Sequence, residues 1–239
     1  GRVAFVHGDD VQGNVNLPPP RTRAIDQHAV NFIIEQVMSQ PGEVTLVPVG
    51  PLTNIGIALR MEPRIAENVH EVVLMGGNAI CPGNATPAAE ANIHNDAEAA
   101  DLVFSAPWQV TMVGLDVTHK VNMTGADLEV YRQLDTPMAQ HVHRIVPHYR
   151  KYFESTYHTD GIYIHDSSAI AYLLDPSLFT IERWPIRVET MGLSRGKTWP
   201  MLGERMLPPW EGLPLVNVAV EVDNRGVVEL ELSRMRGEH

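Results

Sequence analysis

At 239 residues, with 44% hydrophobic and 20% charged side chains, the chain has an ordinary globular composition and could bury about three quarters of its unfolded surface. Its formal net charge of −11, from 18 Lys+Arg against 29 Asp+Glu with no basic run, argues against nucleic acid or an anionic membrane as partner. The lone cysteine, Cys81, excludes an internal disulfide and the cysteine-rich zinc patterns, and no apolar run is long enough to cross a bilayer or has the form of a secretory signal.

These bounds predict a cytoplasmic enzyme or binding protein, one domain over 1–239, with Cys81 a spectator thiol. In chain order, Val3 to Val6 is a strand-like run starting almost at Gly1, as if the sequence began inside a fold. Gly8 to Pro20 has no helical period and reads as a loop. Ala29 to Met38 places Val30, Ile33, Ile34, Val37 and Met38 on one face of an amphipathic helix. Val44 to Val49 is β-branched and stops at Gly50-Pro51, a strand. Thr53 is placed to cap the next helix, and Pro63 to start a further turn.

Val72 to Met75 is the short apolar run of a buried parallel strand, halted by Gly76-Gly77. A polar segment follows, with Asn78, Asn84, Glu90, Asn92, Asn95 and Asp96. Asp96 to Ser105 predicts a helix capped by Asp96, and Val110 to Leu115 a further strand. Leu128 to Tyr157 reads as helical, with Pro137 and Pro147 as boundaries or kinks. Ser168 to Leu174 is an apolar helix ended by Asp175-Pro176. Pro185 to Thr190 and Val216 to Asp223 read as strands, the second alternating as an edge strand does; Arg225 to Met235 fits a strand or a helix. Strands alternating with helices imply βαβ units, and so an α/β fold with an open, mostly parallel (Rossmann-like) sheet flanked by helices.

Ligands of such sheets bind where strands end, so amides and a carboxylate after Gly77 suggest a polyol or sugar site, against the plainer reading of a polar turn. His165-Asp166 precedes an apolar helix. Locally, Asp166 is first a helix cap and second a metal-ligating carboxylate beside a general acid. His7, at the end of the first run, can face a ligand. Asp9-Asp10 is a weak cation candidate because neighbours on an extended chain point apart. Val49, at a strand end before Gly-Pro, offers a carbonyl of the kind calcium accepts. His141, His143, His148 and His158 do not share one helix face, which favours exposed helix histidines over a metal site.

Taken together, VHGDDVQGN (6–14), VTLVPVGPLTNIGIALRMEPRI (44–65), VVLMGGN (72–78), GNATPAAEANIHNDAEAA (83–100), VTMVGLDVTHK (110–120) and IHDSSAIAYLLDP (164–176) resemble the inosine–uridine-preferring nucleoside hydrolases. The resemblance implies hydrolysis of the N-glycosidic bond of ribonucleosides, purine or pyrimidine, by a homodimer or homotetramer active in salvage, with one calcium ion per subunit. It implies Asp166 and the Val49 carbonyl as calcium ligands, Asn84, Glu90 and Asn92 on the ribose hydroxyls, Met75 against the sugar, and His165 and His7 near the leaving base. It also implies an aspartate-rich strand end, Asp-x-Asp-x-x-x-Asp-Asp, supplying the general base and most calcium carboxylates. Nothing before His7 matches it, so the chain is expected to lack that segment and the first strand–helix units. Ala91 stands where the family has an aromatic residue, and Asp10 where it has glycine. The competing expectation is a catalytically inactive truncated relative that binds nucleoside or ribose only. A dinucleotide-dependent oxidoreductase is excluded, because no G-x-G-x-x-G follows a strand.

Overall fold

The computed structural model describes residues 4–203 and 205–238. The chain forms two compact units: a helical one (up to Ile25, Lys120–Ile164 and from Asp223 onward) and a sheet unit (Asp26–His119 and His165–Val222).

In the helical unit, α1 (Ala4–His7) packs on α9 (Pro137–Tyr157), which also packs on α8 (Gly125–Gln133). The strand expected at Val3 to Val6 is therefore corrected to a single helical turn over its described part. Such a short apolar run has no period to separate the two states, and here it pairs with no strand. Pro137 starts α9 and Pro147 sits inside it. Thr124 and Asp127 form a capping box on α8. β4 (Asn122–Met123) and β5 (Ile162–Tyr163) make a small antiparallel ladder, and α11 (Asn224–Arg236) is a helix capped by Asp223.

The sheet unit follows the expected alternation. Its elements are α2 (Ala29–Ser39), β1 (Thr45–Leu46), α3 (Thr53–Met61), α4 (Ile65–Asn68), β2 (Glu71–Met75), α5 (Ala91–Asn95), α6 (Ala97–Ser105), β3 (Val110–Val113), α7 (Leu115–Thr118), α10 (Asp166–Leu174), β6 (Phe179–Trp184), β7 (Ile186–Val188), β8 (Thr198–Pro200) and β9 (Val216–Val222). The sheet order is β1-β2-β3-β9-β6; β1, β2, β3 and β9 run parallel and β6 antiparallel. β9 is thus an inner strand, not the edge its alternation suggested, and the edge is β6, whose pattern of one buried residue in six gives little apolar signal. β1 is shorter than Val44 to Val49 because Pro48 has no N–H to give the ladder; its carbonyl still accepts from Met75 N at 3.0 Å.

Successive side chains of β2 point to opposite faces. Val72 and Leu74 join Val110, Met112, Val216 and Val218 in one core with residues of α2, α3, α5 and α6, while α10 packs against β2 and β3. Each fully buried aliphatic residue there contributes on the order of 1.5–3 kcal/mol. Thr53 does not cap α3: Leu52 holds the cap position, and the Thr53 hydroxyl donates to Asp96 at 2.5 Å. Asp96 caps α6, accepting from Ala99 N at 3.0 Å. No helix among the described residues is long and apolar enough to cross a membrane.

Candidate active site

β2 ends at Met75, and Gly76-Gly77 turns the chain away at the carboxyl edge of the sheet. Gly77 has φ +81°, and a Cβ there would lie 2.7 Å from Met112 Sδ. Only glycine takes this backbone without strain or collision. The turn brings Glu90 back onto the strand end. Glu90 is 2% exposed; its carboxylate accepts from Gly77 N at 2.9 Å, Asn92 N at 2.8 Å and Ile93 N at 3.1 Å. It is the side-chain cap of α5. Burial raises its carboxyl above the usual range, the three amide bonds pull it back, and the negative charge of Asp166 raises it further. Three amides fill most of its roughly four acceptor directions, leaving about one for a ligand.

Asn92 donates to the Met75 carbonyl at 3.0 Å and to Met75 Sδ at 3.5 Å, which keeps its amide oxygen for other use. Asn84 is exposed; its amide oxygen accepts from Ala91 N at 2.9 Å, leaving its NH2. Met75, Asn84, Glu90 and Asn92 are therefore tied into one network at one strand end.

His165 and Asp166 start α10, which packs on β2. The local reading of Asp166 as a helix cap is corrected: His165 occupies the cap position, with no side-chain cap bond, and Asp166 is the first helical residue. Asp166 is exposed at the start of the helix, and the protein packed around it raises its carboxyl by desolvation. His165 is half-buried. Its Nδ1 lies 2.8 Å from Thr118 Oγ1, and the His119 ring stands edge-on at 5.6 Å. Burial, with the neighbouring His119, pushes the His165 imidazole down to about 3. Val49 follows Pro48 on the adjacent strand end and is exposed.

His7 lies in the helical unit, at the end of α1 and not of a strand, stacked on Tyr149 with centroids 5.3 Å apart. Burial lowers its imidazole, and His148 lowers it further. Asp10 spends one carboxylate oxygen on Gln12 N and Asn14 N, each at 2.8 Å, so it braces its own loop. A groove of about 350 Å³ between α8 and α9 is lined by Leu128, Tyr131, His143 and Arg150 among others and holds none of the candidate residues.

The oxygen of Asp166 and the carbonyl of Val49 suit a hard cation in type. Among the described residues no three His, Cys, Asp or Glu side chains converge where a metal could be held. Calcium takes roughly six to eight oxygens, so these two ligands do not make such a site by themselves.

Asn78, part of the polar segment seen in the sequence, and Thr118, His119, Asp116 and Lys197, which sequence reasoning passed over, organise the edge. Thr118 and His119 contact His165 directly. Asn78 is fully buried: its side chain donates to the carbonyls of Cys81 and Ala88, both at 2.9 Å, and accepts from Glu90 N at 3.2 Å. Asp116 and Lys197 hold the segment after Asn78. The signal for Asp116, Thr118 and His119 was the DVTHK run at the end of β3, where strand-end polar residues gather; Lys197 lies in a hairpin with no such mark.

A model of the family described as inosine-uridine preferring nucleoside hydrolase matches residues 2–229. The chain is 40% identical over 238 residues to a probable uridine nucleosidase 2 of Arabidopsis thaliana, covering 98% of this chain and 74% of the relative. It is 46% identical over 199 residues to the inosine-uridine preferring nucleoside hydrolase of Crithidia fasciculata, covering 82% and 63%. The solved structure of a plant nucleoside hydrolase superposes with a TM-score of 0.93 at 36% identity, over 97% of this chain and 74% of that one. The chain thus spans roughly two thirds to three quarters of each relative's length. Matched along almost its whole length in sequence and in fold, it belongs to the inosine-uridine preferring nucleoside hydrolases, enzymes that hydrolyse the N-glycosidic bond of ribonucleosides.

Proposed function

We propose that the carboxyl edge of β2 and the start of α10 form the ribose and metal half of a calcium-assisted nucleoside hydrolase site. The observation that carries this reading is the pairing of Glu90 with Asp166. Glu90 caps α5 just beyond β2, Asp166 opens α10, which packs on β2, and the negative charge of Asp166 raises the Glu90 carboxyl. Carboxylates perturbed by burial and by a neighbouring charge gather at binding sites.

In this reading Glu90, Asn92 and Asn84 take the ribose hydroxyls through the polar atoms their internal bonds leave, and Met75 packs against the sugar. Asp166 and the Val49 carbonyl are this chain's oxygens for the calcium ion. Calcium, when bound, supplies a Lewis acid that fixes the diol and eases deprotonation of a water. Bond cleavage at C1′ leaves an oxocarbenium-like sugar and a base that needs a proton. The Thr118 contact holds His165 Nδ1 and sets the orientation of the ring. At neutral pH His165 is uncharged, so it serves as a relay of that proton, giving one up at one ring nitrogen as the other takes one. His7 is assigned to the leaving base on the family resemblance alone, and His7→Ala tests it separately. The same resemblance carries the proposal of a homodimer or homotetramer, checked by light scattering; a cytoplasmic location is proposed from the composition bounds.

Release of free base from inosine and uridine, measured on wild type and Asp166→Asn, tests the assignment. A fall of several hundredfold or more in the folded variant is expected, since one charged partner of the reacting groups is removed. Unchanged turnover would remove Asp166 from the site.

A further inference from the structure

The backbone from Asn78 to Cys81 is gripped on both its polar sides by two buried charges. On the amide side, the Asp116 carboxylate of α7 accepts from Ala79 N at 2.6 Å, Ile80 N at 2.8 Å and Cys81 N at 3.0 Å. On the carbonyl side, the Lys197 ammonium donates to the carbonyls of Asn78 at 2.6 Å, Ala79 at 3.0 Å and Cys81 at 3.5 Å. Each of these side chains is 6% exposed. Thr198 completes the hold, its hydroxyl 2.8 Å from both Asn78 N and Asn78 O.

Burying a whole ammonium and a whole carboxylate is costly, and a loop that needed only to be covered would use apolar side chains. What this arrangement fixes is position. Asn78 carries the hold onward: its side-chain oxygen accepts from Glu90 N and its NH2 donates to the Ala88 carbonyl. Glu90 in turn accepts from Asn92 N and caps α5. A shift of the Asn78–Cys81 backbone therefore moves the groups assigned to the ribose. The lysine itself is tied down elsewhere, because its hairpin is pinned to α6 by the two-pronged Arg187–Asp101 pair, both contacts at 2.9 Å.

We propose that Lys197 and Asp116 are positioning residues that set the aim of Glu90 and Asn92 at the ribose hydroxyls, by clamping the intervening backbone from its carbonyl and amide sides. The proposal rests on the reading of Glu90 and Asn92 as the ribose grip. It also states what the pair is for: recognition of the sugar and not proton transfer.

The test compares kcat/KM for uridine with kcat/KM for 2′-deoxyuridine in wild type, Lys197→Met, Asp116→Asn and, as reference, Asn92→Ala. Their ratio does not depend on how much of a variant is folded. A misaimed hydroxyl contact is expected to lower the ratio by roughly tenfold in both clamp variants, with KM for uridine rising more than kcat falls. A ratio unchanged in Lys197→Met and Asp116→Asn but lost in Asn92→Ala overturns the positioning role and leaves the ribose grip standing. A ratio unchanged in Asn92→Ala overturns the ribose grip and this proposal with it. If circular dichroism shows that neither clamp variant folds, the pair is a fold determinant and the proposal fails.

Discussion

Burial holds the His165 imidazole near 3, far below its ordinary 6.5, and this fixes both its protonation and its part in stability. Between those values the unfolded chain takes up a proton at this histidine and the folded one does not. Its contribution is thus complete above about 6.5 and is lost as the pH falls toward 3. The expected outcome is a fall in Tm between about pH 7.5 and about pH 4.5 that is smaller in His165→Asn than in wild type. A second consequence concerns rate: kcat/KM, which reports the free enzyme, should show no acid limb near 6.5 from His165. Gly77 supplies a sharper stability test. Gly77→Ala would add strain at φ +81° and a collision at 2.7 Å with Met112 Sδ, so a loss of about 2–3 kcal/mol in urea unfolding is expected.

At the scale of elements, two helix starts separate structure from function. Asp96 caps α6 through Ala99 N and also accepts from Thr53, so Asp96→Ala should cost ~1–2 kcal/mol. Asp166 opens α10 one residue past the cap position and is desolvated there, so Asp166→Ala should leave urea stability within about 0.5 kcal/mol while removing activity. Equal destabilisation by both would return Asp166 to a capping role. The same two residues show how far local reasoning reaches. Asp96 before an apolar-periodic run was legible as a cap. At Asp166 the local rule chose the cap, and only the register of the helix start, one residue earlier at His165, decides otherwise. Thr53 fails for a related reason: a tertiary partner 43 residues away takes its hydroxyl.

Across the whole molecule, the legible parts were those with a periodic signal or a strand-end signal. β2 with Gly76-Gly77, α2, α6 and the parallel order of the sheet follow from apolar runs and punctuation, and Glu90 and Asn92 from polar crowding after a strand. The illegible parts depend on partners distant in sequence. β6 shows little alternation because only its pairing to β9 makes it a strand, and that pairing in turn makes β9 interior. Lys197 reaches a loop more than a hundred residues away and carries no local mark of it. We propose that this strand-end cluster belongs to a calcium-assisted nucleoside hydrolase with His165 beside the leaving base. Cleavage of inosine and uridine, followed with and without a chelator in wild type and His165→Ala, tests it most directly. Loss of activity with the chelator, recovery on adding calcium and a large fall in the variant are expected; robust cleavage that ignores both chelator and substitution would overturn the assignment.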